Sequence, residues 1–257
     1  MVRICLIVLS ISFLLISCED VIDINLNDAD PQLVIVGTVS NQSYEQRVTI
    51  GRTVAFDVAQ PFDPVAGATV TVVDGTGRVF EYVEQSPGIY ASNFRGRENE
   101  RYELSVRVEG EVFTAASIMP QLVTADSIGT TVRTLFGEER RSVGIRYADP
   151  AGVPNYYRYL WQVNGGALEV LHVAQDKFND GKYVSEDLGD FDTELVPGDS
   201  VTVRMQCIDK AAYDFWNAVQ SINPGTAAPA NPPSVFGDGA LGYFSAYAES
   251  AMSTVIQ

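Results

Sequence analysis

The sequence predicts a mainly β fold, two tandem β-sandwich domains with one α-helix inserted in the second. Three observations carry this. Short strand-like segments recur at regular intervals, as in sandwiches. Several alternate apolar and polar residues, which buries one face of a strand and wets the other. Glycine-bearing turns sit between them where hairpins need positive φ.

In the first half the segments are Leu33–Ser40, Gln46–Val54, Ala68–Asp74, Arg78–Val83, Ile89–Ser92, Arg101–Val108 and Glu111–Ser117. Tyr102, Leu104, Val106 and Val108 alternate with Glu103, Ser105, Arg107 and Glu109, and Glu109-Gly110 turns the chain back. Asp74-Gly75-Thr76-Gly77 supplies a second hairpin turn. Met119-Pro120-Gln121 interrupts the pattern, because proline cannot donate to a ladder, and sets a boundary near residues 119–124. The first sandwich therefore spans 33–118 and the second 125–257.

The second set comprises Ser127–Thr134, Arg141–Tyr147, Tyr156–Val163, Leu168–Ala174 and Ser200–Ile208, with Asn164-Gly165-Gly166 closing a hairpin. Asp209 can cap a helix near 210–221, with Tyr213, Trp216 and Val219 or Gln220 on one side and Ala212, Phe215 and Ala218 nearby. Pro224, Pro229, Pro232 and Pro233 make the stretch to Ser234 an irregular loop. Gly242–Glu249 reads as a late strand.

The N-terminus has its own logic. Arg3 precedes an uncharged, largely apolar run from Ile4 to Ile16, the order of charge and apolar stretch in a secretory signal. The run is shorter than the about 20 residues a membrane-crossing helix needs. It ends Leu15-Ile16-Ser17-Cys18, which resembles the bacterial lipobox, in which the cysteine thiol is acylated. The expectation is a lipoprotein signal peptide over 1–17, a lipidated Cys18, and an acidic tether over 18–32. The 14 residues from Glu19 to Gln32 reach about 45 Å when extended.

Removing residues 1–17 takes away one charge, Arg3, and leaves 16 basic against 33 acidic side chains. Nucleic acid is excluded as a partner, since phosphate binding needs clustered Lys and Arg. With Cys5 in the signal and Cys18 acylated, Cys207 has no partner for an intramolecular disulfide. It shares a strand face with Val201, Val203 and Met205, so its sulfur is expected to point inward, buried and inert.

No G-x-S-x-G, H-E-x-x-H, C-x-x-C, P-loop or G-x-G-x-x-G motif occurs, and no catalytic residue, metal ligand or cofactor is assigned. The single histidine, His172, lies between Leu171 and Val173 in a strand and reads as structural. Asp176-Lys177-Phe178-Asn179-Asp180-Gly181 matches the first, fifth and sixth positions of an EF-hand calcium loop. Phe178 stands at the third, where an oxygen ligand belongs, and no helices flank it, so a solvated turn is expected. Carboxylate pairs suited to glycoside hydrolysis remain open among 33 acids. Tyr157, Tyr159 and Trp161 share one strand face opposite Tyr156, Arg158, Leu160 and Gln162. Core packing is expected there, a sugar or partner platform being the alternative.

The Asp149–Arg158 stretch, the Asp176–Gly181 turn, Gly198–Val201, Ile208–Trp216 and Gly239–Tyr247 together resemble the domain-of-unknown-function 4249 family of lipoproteins. The first half, through Val34–Gly37, Pro64–Val70 and Gly88–Tyr90, is similar to transthyretin-like or carboxypeptidase-regulatory-like sandwiches, within the broader Ig-like class. The resemblance implies a Bacteroidota-type outer-membrane lipoprotein that often accompanies a TonB-dependent transporter. It also implies that Glu19-Asp20 serve surface export. The expected function is a non-enzymatic, lipid-anchored accessory of TonB-dependent uptake, facing the cell exterior and binding a partner or ligand. The alternatives are a surface glycan- or peptide-acting hydrolase with a hidden carboxylate pair, and an adhesion or envelope module.

Overall fold

In the computed structural model, residues 30–42, 45–54, 62–135, 137–189, 193–221 and 232–257 are described. The signal segment, Cys18 and the tether as far as Ala29 lie outside the described residues, as does most of the proline-rich loop.

The first half contributes β1 (Leu33–Ser40), β2 (Gln46–Arg52), β3 (Asp63–Pro64), β4 (Thr69–Asp74), β5 (Val79–Ser86), β6 (Ile89–Ser92), β7 (Arg101–Val108) and β8 (Glu111–Ile118). Its turns are those the glycines predict. Glu109 and Gly110 both take positive φ in the two-residue turn joining β7 to β8. Asp74 accepts from the backbone N–H groups of Thr76 and Arg78 and from the Thr76 hydroxyl, bonds that hold its carboxyl below the usual range. β5 changes partner along its length: Val79–Tyr82 pair with β4, and the strand then pairs with β6 from Val83 onward. Gly37 of β1 marks the sandwich interior, because a Cβ there would come within 3.1 Å of Leu104 on β7.

The second half contributes β9 (Ser127–Leu135), β10 (Glu138–Ala148), β11 (Tyr156–Val163), β12 (Leu168–Gln175), β13 (Tyr183–Leu188), β14 (Ser200–Ile208), helix α1 (Lys210–Gln220) and β15 (Leu241–Val255). A three-stranded sheet, β13-β10-β9, faces the β12-β11-β14-β15 part of a twelve-stranded sheet. Tyr147 on β10 and Tyr159 on β11, both buried, meet across this interior with hydroxyls 2.7 Å apart. Trp161 is fully buried beside them. The mainly β sandwich architecture expected from the sequence is what the chain adopts, with one α-helix among the described residues, after β14.

Two features exceed the sequence-based expectation. β13 is a strand with no counterpart among the expected segments. Its Ser185-Glu186-Asp187 centre weakens the apolar signal, yet Val184 and Leu188 are buried and the acids are paired: Glu186 with His172 at 2.9 Å, Asp187 with Arg133 at 2.6 Å. β15 runs to Val255, beyond the expected Glu249, because it has two partners in succession. Leu241–Tyr247 pair in parallel with β1, and Ala248–Val255 pair antiparallel with β14. Along the shared stretch Phe244, Ala246 and Ala248 point into the core, and Gly242 at φ 114° lets β15 approach β1. A Cβ on Gly242 would fall 2.0 Å from the Ile35 carbonyl oxygen.

Helix α1 starts where Asp209 accepts from Ala212 N–H at 2.9 Å. The same carboxylate accepts from the Ser117 hydroxyl, which itself accepts from Ala246 N–H, so the cap ties β8, α1 and β15 together. At the other end Gln220 accepts from Val173 N–H and donates to the Leu171 carbonyl. Leu171 is the extra residue of a bulge in β12, so this side chain covers backbone groups that the irregular ladder leaves free.

Candidate functional site

Three places gather polar side chains. The first lies beneath α1, on the outer face of β11, β14 and β15. Strand pairing sets Arg158, Gln206 and Glu249 in one row across the three strands. Glu249, almost fully buried, accepts from Arg204 at 3.0 Å and Gln206 at 2.9 Å. The Arg158 guanidinium stacks over Trp216 of α1 at 3.9 Å, and burial lowers its pKa against the support of Tyr243 and Tyr247. The aromatic face opposite, Tyr157, Tyr159 and Trp161, is core, so the platform alternative fails: both faces of β11 are covered. This layer fixes the helix to the sheet and offers no surface to a ligand.

The second is a cleft of about 670 Å³ beside the start of β1. Pro31–Leu33, the β7–β8 turn, Phe113 and Gly237–Leu241 line it. Arg52 pairs with Glu109 at its wall, and Glu111 and Asp238 add further carboxylates. It is a polar, solvent-open recess suited to binding. No nucleophile–base pair is found among its lining residues.

The third lies at the loops following β10 and β12. Asp149, Asp176 and Asp180 each present a carboxylate oxygen within 4.8 Å of the others. Asp149 accepts from the Tyr157 hydroxyl at 2.5 Å and from Gly181 N–H at 3.2 Å. Asp176 accepts from Asn155 N–H at 2.7 Å, and Asp180 from Gly152 N–H at 2.6 Å. Burial raises the pKa of Asp149, with the charges of Asp176 and Asp180 adding to it. The calcium-loop pattern captured Asp176 and Asp180 but missed Asp149, which a different loop supplies. Phe178, at the unmatched third position, is 78% exposed.

His172 packs its ring against Tyr159 at 5.0 Å and bonds Glu186. Cys207 points inward as alternation predicts. Its sulfur accepts from Val123 N–H, and burial pushes the thiol up to about 12.

A family model described as a domain of unknown function, DUF4249, matches residues 19–253. The chain belongs to the DUF4249 family. Comparison with curated proteins gives no match. Among solved structures, a two-domain fibronectin type-III segment of chicken tenascin is similar at 13% identity, covering 87% of this chain and 99% of its own, with a TM-score of 0.25. A cytokine receptor complex is similar at 12% identity over 87% of this chain and 96% of its own, TM-score 0.28. Bovine butyrophilin is similar at 9% identity over 89% of this chain and 100% of its own, TM-score 0.24. Scores this low carry no argument. The DUF4249 description names no activity, so the cleft and the acidic loops are defined by their geometry alone.

Proposed function

We propose that this DUF4249 protein is a lipid-anchored, non-enzymatic accessory of the bacterial outer membrane. It faces the cell exterior and assists a TonB-dependent transporter by contacting it or by presenting a nutrient to it. One observation carries the reading: Cys18 follows Leu15-Ile16-Ser17 at the end of a short apolar run and precedes an acidic segment. Acylation at that thiol, with more than one chain, gives stable membrane attachment where a single chain gives marginal binding. Among the described residues no helix is long and apolar enough to cross a membrane. The cleft lined by Pro31–Leu33, Arg52 and Glu109 supports the binding role, since it is a polar recess open to solvent.

Two experiments test it. Cells fed a labelled fatty acid incorporate label into the wild-type chain and not into Cys18→Ser, which fractionates away from membranes. Label retained in Cys18→Ser refutes the anchor. Detergent pull-down of the tagged wild-type protein from native membranes enriches a TonB-dependent transporter above a control lipoprotein, and recovery of none refutes the partnership.

A further inference from the structure

The three carboxylates at the end of the second sandwich are joined by a fourth oxygen. Asn155 pairs with Asp176 across the β11–β12 ladder: its N–H bonds the Asp176 carboxylate and its carbonyl accepts from Asp176 N–H at 3.1 Å. Residues paired across strands project side chains from the same face, as do residues two apart in one strand. Asn155, Asp176 and Tyr157 therefore share a face, and the Tyr157 hydroxyl bonds Asp149 there. The Asn155 side chain thus rises on the face of the acidic cluster, next to the Asp176 carboxylate that its own N–H bonds. Asn155 is 8% exposed, and its Oδ1 is sealed from solvent without a hydrogen-bond partner. An orphaned buried carbonyl oxygen beside three carboxylates lacks what a cation provides.

We propose that Asp149, Asn155, Asp176 and Asp180 form a calcium site. All four donors are hard oxygens, the ligand type calcium takes at 2.3–2.6 Å. Two oxygens bound to one calcium at about 2.4 Å lie at most about 4.8 Å apart, and the three carboxylate oxygens all lie within 4.8 Å of one another. Asp149 and Asp176 are both buried. The two lysines of the turn are engaged elsewhere, Lys177 over the Phe178 ring and Lys182 with the Phe178 carbonyl. Ligands drawn from two loops, with the rest of the coordination shell left to backbone carbonyls or water, suit calcium's loose geometry better than the strict octahedron of magnesium. Phe178 does not disqualify this site, because Asp149 and Asn155 replace the ligand that a linear loop would place there.

The test uses the full chain purified in detergent and freed of metal by a chelator. Calcium chloride followed by calorimetry gives one saturable site with a Kd of about 10⁻⁵ to 10⁻³ M, the sensor-to-extracellular range, and magnesium chloride binds more weakly. Terbium chloride gives tyrosine-sensitised emission from Tyr157, displaced by calcium. Asp180→Asn and Asp176→Asn each keep an oxygen for the N–H they bond, and each weakens calcium at least tenfold, while metal-free melting of the variant reports whether it is folded. Absence of saturable calcium binding by the wild type, unchanged binding in both folded variants, or tighter binding of magnesium overturns the proposal.

Discussion

Replacing Tyr159 with Phe keeps the ring in the second sandwich and removes one hydroxyl, which isolates a single interaction between its two sheets. The Tyr147 and Tyr159 hydroxyls are 2.7 Å apart in a buried interior. Burial raises both phenol pKa values, so each remains a neutral hydroxyl at ordinary pH. Losing one partner strands the other in a low-dielectric core, which costs about 1–3 kcal/mol. For a domain of 150–250 residues each kcal/mol lowers Tm by about 2–4 °C, so each single variant melts about 2–12 °C below wild type. Removing both hydroxyls leaves nothing stranded and approaches neutrality. The Tyr147→Phe/Tyr159→Phe double variant is therefore more stable than the summed single effects predict, by about 1–2 kcal/mol of coupling. Urea denaturation followed by circular dichroism, at fixed protein concentration, measures all four corners of the cycle. Strictly additive losses would refute the facing of β10 and β11 from which the argument starts.

Gly242→Ala meets both a φ of 114° and the Ile35 carbonyl oxygen at 2.0 Å. It costs upwards of about 2 kcal/mol in the same denaturation assay, and an unchanged midpoint contradicts the close β1–β15 approach. Cys207, with its thiol pushed up to about 12, does not react with a thiol reagent at pH 8 until urea is added. Rapid labelling of the folded Cys5→Ser/Cys18→Ser chain, in which Cys207 is the one cysteine left, contradicts its burial. Because the folded thiol holds its proton above the pH at which the unfolded one releases it, Cys207 costs stability as pH rises from about 9 to about 12; Cys207→Ala flattens that part of the pH–stability curve. Arg52→Glu breaks an exposed pair worth at most about 1 kcal/mol, so melting barely moves, while charge reversal at the cleft lowers transporter recovery in the pull-down; recovery equal to wild type removes the cleft from the proposed contact.

The strands most legible in the sequence are those with one wet and one dry face. β7 is the clear case: Tyr102, Leu104, Val106 and Val108 are buried and Glu103 and Arg107 exposed, as period two requires. Turns with obligatory positive φ were equally plain, since Asn164 and Gly165 adopt it between β11 and β12. β13 was hidden because its acids find partners remote in sequence, Asp187 with Arg133 and Glu186 with His172, a compensation that local propensity does not register. The length of β15 was hidden because its Ser250–Ser253 stretch looks like an exposed end and acquires its ladder only from β14. Of the candidate sites, Asp176 and Asp180 were visible as half of a motif. Asp149 and Asn155 carry no signal of their own: a carboxylate after a strand and an amide after a proline are ordinary turn residues, and only strand register brings them together.

That register also places the acidic cluster at a mechanically particular level of the fold. β15 leaves β1 and joins β14 at Tyr247 and Ala248. Ala248 is paired with Cys207, and the next residue of β14, Ile208, is paired with Tyr156, the first residue of β11. Asn155 and Asp176 therefore sit one rung from the point where the shared strand changes partners. The residues 119–126 that connect β8 to β9 pass the same level, where Val123 donates to Cys207 and Leu122 donates to Glu98 of the first half. A strand shared by two sandwiches holds them together by backbone bonds along one line, and rotation about that line is resisted only by what packs around it. The Ser117–Asp209 bond of the helix cap lies on that line, and the Asp149 and Asp176 loops close the second sandwich at the same height. A cation bound between those loops would cross-link the end of β10 to the β11–β12 hairpin, so its stiffening would fall on the second sandwich.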